Sequence, residues 1–218
     1  MKQKLVKFSK INLRGTKAIL LDLDNTLYDY RACHEYAILA CYKKFTKVEK
    51  LSFEDFLRFY ERAKEKIKKR IPTQAASHSR LLYFQALLEN YFGKTNVDLT
   101  LDLETLYWKS FFGKMKLAKG ALGFLKECKE NHIKICLVTD LTARIQFKKV
   151  KLLKIAKYID FIVSSEEAGR EKPAPHIFKL ALQKVGFKRG DVMVLGDSYK
   201  RDMLGAKGPG LRAVLVKK

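Results

Sequence analysis

The stretch Leu20-Leu21-Asp22-Leu23-Asp24-Asn25-Thr26-Leu27-Tyr28-Asp29 decides the fold. It continues an apolar run from Ala18 that reads as a buried strand of a parallel sheet, where both faces are covered and the sequence is apolar throughout. The run ends abruptly in acid. Side chains alternate along a strand, so Asp22 and Asp24 point to one face and Leu23 to the other. Two carboxylates there repel unless a cation sits between them, and the carboxyl edge of an open α/β sheet is where ligands bind. A hard divalent cation such as Mg2+ is the natural partner, since it takes oxygen ligands and usually one or two carboxylates. The alternative is a strand end capped by two solvated aspartates.

Working outward, residues 30–116 show helical spacing and no convincing strand. Apolar positions recur at that spacing over 33–45, 53–67, 81–92 and 101–112. Ser52, followed by Glu54 and Asp55, marks a helix start; Pro72 ends that helix, and Gly93 and Gly113 stop the third and fourth. A crossover between parallel strands needs one helix, so four read as an inserted helical domain, residues 30–116. The α/β core is then residues 1–29 and 117–218. Helices over 120–131, 142–155, 175–185 and 199–207 alternate with strands over 133–138, 161–164, 192–195 and 213–216, and Gly186 is placed to stop the third of these helices. That alternation predicts a doubly wound, Rossmann-like parallel sheet with helices on both faces.

Composition bounds the function classes. A chain of 218 residues, 47% hydrophobic and 11% aromatic, is able to bury a core and is not disordered. No apolar run approaches the ~18 residues of a membrane span. Residues 1–17 carry no acid and include Lys2, Lys4, Lys7, Lys10, Arg14 and Lys17, but too little arginine and serine to favour a transit peptide, and no apolar secretory segment. Cys33, Cys41, Cys128 and Cys136 lack metal-site spacing and read as buried thiols of a cytoplasmic protein. The net charge of +22, from 45 Lys+Arg against 23 Asp+Glu, attracts polyanions. The lysines are scattered through every helix, so nucleic acid is a possible partner and not the favoured one.

The remaining strand ends carry the polar motifs. Leu137-Val138-Thr139-Asp140 ends the second strand; its threonine is either a hydroxyl donor or a helix cap, a role Thr142 also fits. Ser164-Ser165-Glu166-Glu167-Ala168-Gly169-Arg170-Glu171-Lys172-Pro173 follows the third, with Lys172 able to offset the repulsion between aspartates. Val194-Leu195-Gly196-Asp197-Ser198-Tyr199-Lys200-Arg201-Asp202 follows the fourth, where Gly196 lets the backbone pass close to the site.

In order and content these motifs resemble the haloacid dehalogenase-like (HAD) hydrolase superfamily, in the branch with a helical cap inserted after the first strand. The resemblance covers nearly the whole chain from about Thr16 to Lys217. It matches D-x-D-x-T at Asp22, Asp24 and Thr26, a hydroxyl at Thr139, Lys-Pro at Lys172, and G-D-S-x-x-x-D from Gly196 to Asp202. It implies a Mg2+-dependent phosphatase acting on a small phosphorylated metabolite, a nucleotide or sugar phosphate. Asp22 would form an aspartyl-phosphate, Asp24 would act as acid and base, and Thr139 and Lys172 would meet the phosphoryl group. Asp22, Asp24 (through its carbonyl), Asp197 and Asp202 would hold or support the metal. Family dehalogenases lack the second aspartate, so Asp24 points to phosphate chemistry. Asn25 and Asp140 are placed as substrate-binding; Asp140 stands where the family commonly has Asn, so it either turns away or selects an unusual group. Arg80 and His78, at the start of the third inserted helix, are either substrate-binding cap residues or solvated. A phosphomutase with the same core residues, and a nucleic-acid-binding protein on this scaffold without turnover, are the alternatives. A monomer or homodimer is expected.

Overall fold

The computed structural model describes residues 5–217, so Lys2 and Lys4 of the basic N-terminal segment lie outside the described residues. In chain order, β1 (Ala18–Leu21) is followed by α1 (Tyr30–Phe45), α2 (Phe53–Arg70), α3 (Arg80–Phe92) and α4 (Val97–Lys114). Then come α5 (Ala121–Glu130), β2 (Lys134–Thr139), α6 (Ala143–Leu152), β3 (Phe161–Ser164), α7 (Ser165–Ala168), α8 (Pro175–Val185), β4 (Val192–Gly196), α9 (Leu204–Lys207) and β5 (Arg212–Leu215). Two compact units share the chain, one ending at Asp29 and resuming at Lys116, the other spanning Tyr30–Met115.

The α/β unit is a five-stranded parallel sheet in the order β3-β2-β1-β4-β5. Its central strand β1 pairs with β2 on one side and β4 on the other, and all four of its residues are buried, which is why it reads as an unbroken apolar run. On one face Ile177, Phe178, Ala181 and Val185 of α8 join Leu20, Val138, Val163 and Val194 in one core cluster. The order reverses at β1, the topological switch point where such sheets gather ligands.

Beyond β1 the chain turns sharply, with Asn25 at φ 69 and Leu27 N–H donating to Leu23 O at 3.0 Å. Tyr28 then pairs antiparallel with Leu117, and Ala118 N–H donates to Leu27 O at 2.8 Å. The chain therefore leaves the α/β unit and returns to it side by side. In the helical unit α1 packs on α4 and α2 on α3, around the fully buried rings of Phe45, Phe56, Tyr60, Phe84, Tyr107 and Phe111.

Several expected boundaries move. Helix α4 starts at Val97, where the Asn96 side chain accepts from Leu99 N–H at 3.0 Å, and it runs through Gly113 to Lys114. Gly113 does not take the left-handed conformation that stops a helix, unlike Gly93 and Gly186 at φ 71 and 73. Helix α6 ends at Leu152, because Lys154 at φ 56 turns the chain into a 3-10 turn, Ala156–Tyr158. Residues 199–207 form a π turn, Tyr199–Met203, before α9. Thr142 sits at the N-cap position of α6 without a capping side-chain bond; the Glu166 carboxylate takes that place, accepting from Ala143 N–H at 2.8 Å.

Candidate active site

Asp22, one residue past β1, is buried, with its backbone N–H bonded to Leu195 O at 2.8 Å. Its Oδ2 accepts from the Thr26 hydroxyl at 2.6 Å and its Oδ1 from the Lys172 ammonium at 2.6 Å. Lys172 also donates to Asp202 Oδ1 at 2.7 Å, so one buried ammonium bridges two carboxylates. Burial pushes the Asp22 carboxyl upward; Lys172 opposes this and Asp202 adds to it. Burial works to lower the Lys172 ammonium, but Asp202, Asp22 and Asp140 outweigh it and hold it charged well above the usual lysine range.

Asp197 follows β4 and is tied to the first motif by Asn25, whose amide donates to Asp197 Oδ2 at 2.5 Å. Asp202 is held by the Ser198 N–H, which donates to its Oδ2 at 3.0 Å, and lies directly over Gly196. Asp22, Asp197 and Asp202 bring carboxylate oxygens within 4.8 Å of one another. Three carboxylates against one ammonium leave an all-oxygen cluster with two excess negative charges when ionised. That donor set fits a hard divalent cation such as Mg2+.

Asp24 has different company. Its Oδ1 accepts from Lys149 Nζ at 2.6 Å and from the Tyr28 hydroxyl, and its Oδ2 from Gln146 Nε2 at 3.0 Å. Burial acts to raise this carboxyl, but the Lys149 ammonium and the three hydrogen bonds win and hold it below the usual carboxylate range. Gln146 also donates to the Thr139 hydroxyl and to Asp140 O at 2.7 Å, joining the first and second motifs. The Asp140 carboxylate turns to the third motif: Oδ1 accepts from Lys172 N–H at 2.9 Å, and Arg201 stands 3.6 Å from Oδ2.

The α/β unit thus brings together Asp22, Asp24, Asn25, Thr139, Asp140, Lys172, Asp197 and Asp202. Sequence reasoning missed Lys149, Gln146, Tyr28 and Arg201. The available signal was the spacing of Gln146 and Lys149, three apart and so on one face of the helix after the second motif.

Arg80 and His78 belong to the helical unit. Arg80 is 4% exposed, so it is not solvated. Its guanidinium donates to His78 O and the Tyr30 hydroxyl and lies 5.5, 5.2 and 5.4 Å from the ring centres of Tyr83, Tyr107 and Trp108. His34, beside this cluster, bonds the Tyr107 hydroxyl at 2.8 Å; burial, then Arg80 and Lys64, pull its imidazole down to about 3. All four cysteines are buried and outside any disulfide, and no helix among the described residues is long and apolar enough to cross a membrane.

The family model for haloacid dehalogenase-like hydrolases matches residues 19–216. Ribulose-1,5-bisphosphate 5-phosphatase of Halopiger xanaduensis is 34% identical over 199 residues, which is 91% of this chain and 83% of that protein. Glyceraldehyde 3-phosphate phosphatase of Methanothermobacter thermautotrophicus is 25% identical over 200 residues, 92% of this chain and 85% of that protein. Among solved structures, a HAD phosphatase from Thermococcus onnurineus has the same fold, with a TM-score of 0.73 at 24% identity over 93% of this chain and 86% of that one.

Proposed function

Because the chain belongs to the haloacid dehalogenase-like hydrolase family, we propose that it is a Mg2+-dependent phosphatase of small phosphorylated metabolites, working through an aspartyl-phosphate on Asp22. The observation that carries this reading is the pair Asp22 and Asp24, two carboxylates of one motif held by two different lysines. Asp22 lies in the acidic cluster beside Lys172 and Asp24 lies outside it on Lys149, so the roles follow the order of the family's motif, attack at the first carboxylate and proton transfer at the second. Asp22 attacks phosphorus, the bond to the leaving oxygen breaks, and Asp24, which takes up a proton at its open Oδ2 position as the phosphate ester binds, passes that proton to the leaving oxygen. Water then attacks phosphorus and gives a proton to Asp24, and the bond to Asp22 breaks to release phosphate. Asp24 has a task only where a leaving oxygen needs a proton, which favours phosphate ester over carbon–halogen chemistry.

Thr139 and Lys172 are the donors for the phosphoryl oxygens. Asn25 and Asp140 act through Asp197 and the Lys172 backbone. Asp22, Asp197 and Asp202, with the Asp24 carbonyl, would hold Mg2+, which when bound supplies positive charge beside the phosphoryl oxygens. The helical unit, residues 30–115, is the proposed cap and specificity element. Arg80 is its proposed anion-binding residue beside His78, since Arg80 Nε is buried without a hydrogen-bond acceptor. Four buried cysteines outside any disulfide support a cytoplasmic location.

The test is phosphate release with Mg2+ over a panel of phosphorylated metabolites. The two relatives' names put ribulose 1,5-bisphosphate and glyceraldehyde 3-phosphate at its head. Release from no member of the panel would overturn the reading, and isomerised sugar phosphate without free phosphate would make the chain a mutase.

A further inference from the structure

Helix α6 turns two polar side chains of one face, Gln146 and Lys149, inward to the first two motifs. Both are fully buried, an unusual state for a lysine in a chain with 45 Lys+Arg. Lys149 ends on Asp24 Oδ1 and lies 5.7 Å from the Tyr28 ring centre. The fold does not need an ammonium there: a buried ion pair is often no more stabilising than apolar side chains of the same volume. Its position beside the proposed acid and base asks for a functional account.

The donors can be counted. A carboxylate offers about four lone-pair directions. Asp24 spends three of them on Lys149, Tyr28 and Gln146, two on Oδ1 and one on Oδ2. One direction is left, on Oδ2, and the carboxylate cannot rotate without breaking a buried charge-assisted bond. Gln146 acts on the second motif as well. Its amide must turn NH2 towards Asp24 Oδ2 and Asp140 O, because both accept only, and the same NH2 reaches Thr139 Oγ1. An amide nitrogen accepts no hydrogen bond, so the Thr139 hydroxyl does not donate to Gln146, and its own hydrogen has only Asp140 O, 3.5 Å away at the limit of a bond. That hydrogen is available to a phosphoryl oxygen.

We propose that Gln146 and Lys149 are positioning residues, which aim the one open position of Asp24 Oδ2, where the transferred proton is carried, at the leaving oxygen and keep the Thr139 hydroxyl as a donor. The proposal rests on the phosphatase reading and adds two residues that touch neither substrate nor metal.

The test uses the full chain, an alkyl phosphate taken from the panel, and 4-nitrophenyl phosphate, whose leaving group scarcely needs a proton. Lys149→Met should lower kcat for the alkyl ester about 100-fold, the usual result of a ~1 Å misplacement, and the aryl ester much less, with KM little changed in both. Lys149→Arg, which keeps the charge and the donor, should recover part of the loss. In an Asp24→Asn background Lys149→Met should cost nothing further, since residues that act as a unit are not additive. Should Lys149→Met fold poorly, the Asp24→Asn/Lys149→Met pair removes the unpaired buried charge and should melt above it, and Gln146→Leu supplies an independent probe of the Thr139 arm. Equal losses on the two esters, additive losses with Asp24→Asn, or wild-type rates for both single variants would overturn the proposal alone. A wild-type protein that hydrolyses neither ester would overturn the phosphatase reading beneath it.

Discussion

Replacing Gly196 with alanine separates packing from chemistry. Gly196 does not have a positive φ, so alanine suits its backbone, and the whole effect comes from the added methyl group. That carbon would stand 2.2 Å from Asp202 Oδ2 and 2.3 Å from Cγ, where ordinary contacts begin at 3.4 Å. The carboxylate must retreat by about 1 Å. It is 2% exposed and holds Lys172 at 2.7 Å and Ser198 N–H at 3.0 Å, so the retreat weakens a buried ion pair and a backbone bond together. Overpacking costs about 1–3 kcal/mol, and a fully broken buried pair costs about 3–5 kcal/mol. With the pair only stretched, a loss of about 2–5 kcal/mol is expected, which lowers Tm by roughly 5–15 °C for a chain of this size. Lys172 also sets the charge and orientation of Asp22, so kcat/KM per folded molecule should fall about 100-fold. Gly205→Ala is the comparison: its methyl group would stand 2.3 Å from Phe178 Cε2 and 3.3 Å from Pro173 Cα, an overlap with apolar atoms only. It should cost similar stability and far less activity. Calorimetry and phosphate release on both variants decide the matter, and the reasoning fails if Gly196→Ala melts and turns over like the wild type or if the two variants lose activity equally.

Asp22→Asn should fold normally and retain below about 1% of wild-type turnover, because the amide cannot form the covalent intermediate; residual phosphate release above that level removes Asp22 as nucleophile. Activity should vanish with a chelator and return with Mg2+, with Asp197→Ala raising the Mg2+ needed; chelator-resistant turnover counts against the acidic cluster as a metal site. His34 has a folded-state pKa of about 3 against 6.5, so the unfolded chain takes up its proton first as the pH falls. Stability should therefore drop between pH 6.5 and 3 by up to about 1.4 kcal/mol per pH unit from this residue, a slope that denaturant titrations should find reduced in His34→Gln. Arg80→Ala should reduce kcat/KM for the substrate found in the panel by roughly ten- to a hundredfold, the worth of a charge-assisted bond, and spare 4-nitrophenyl phosphate; equal losses would mean that Arg80 only supports the aromatic cluster.

The sheet was legible because β1 and β4 are buried on both faces, so their apolar runs end where the acids begin. Asp22, Asp24, Lys172 and Asp197 could be named because each stands next to a strand end or a proline. Lys149 could not, since nothing local distinguishes a lysine that turns inward from the solvated lysines beside it; only the approach of α6 to Asp24 does. The burial of Arg80 was hidden for the opposite reason. Its polar neighbours Ser77 and Ser79 suggested an accessible helix start, while the rings that bury it come from residues 83, 107 and 108. Gly113 shows that a glycine stops a helix only where the next turn requires a left-handed residue.

The antiparallel pairing of Tyr28 with Leu117 makes the helical unit a cassette on a two-stranded neck. Cα atoms of such partners lie about 4.5–5.5 Å apart, close enough for a two-residue hairpin turn to join them. The segment from Tyr30 to Met115 is then exchangeable in length and content without altering the register of β1 against β2 and β4, on which Asp22 depends. On the proposed reading of the helical unit as the specificity element, selectivity and reaction chemistry lie on separately inheritable pieces of one gene, and a transplanted insert should carry its preference with it.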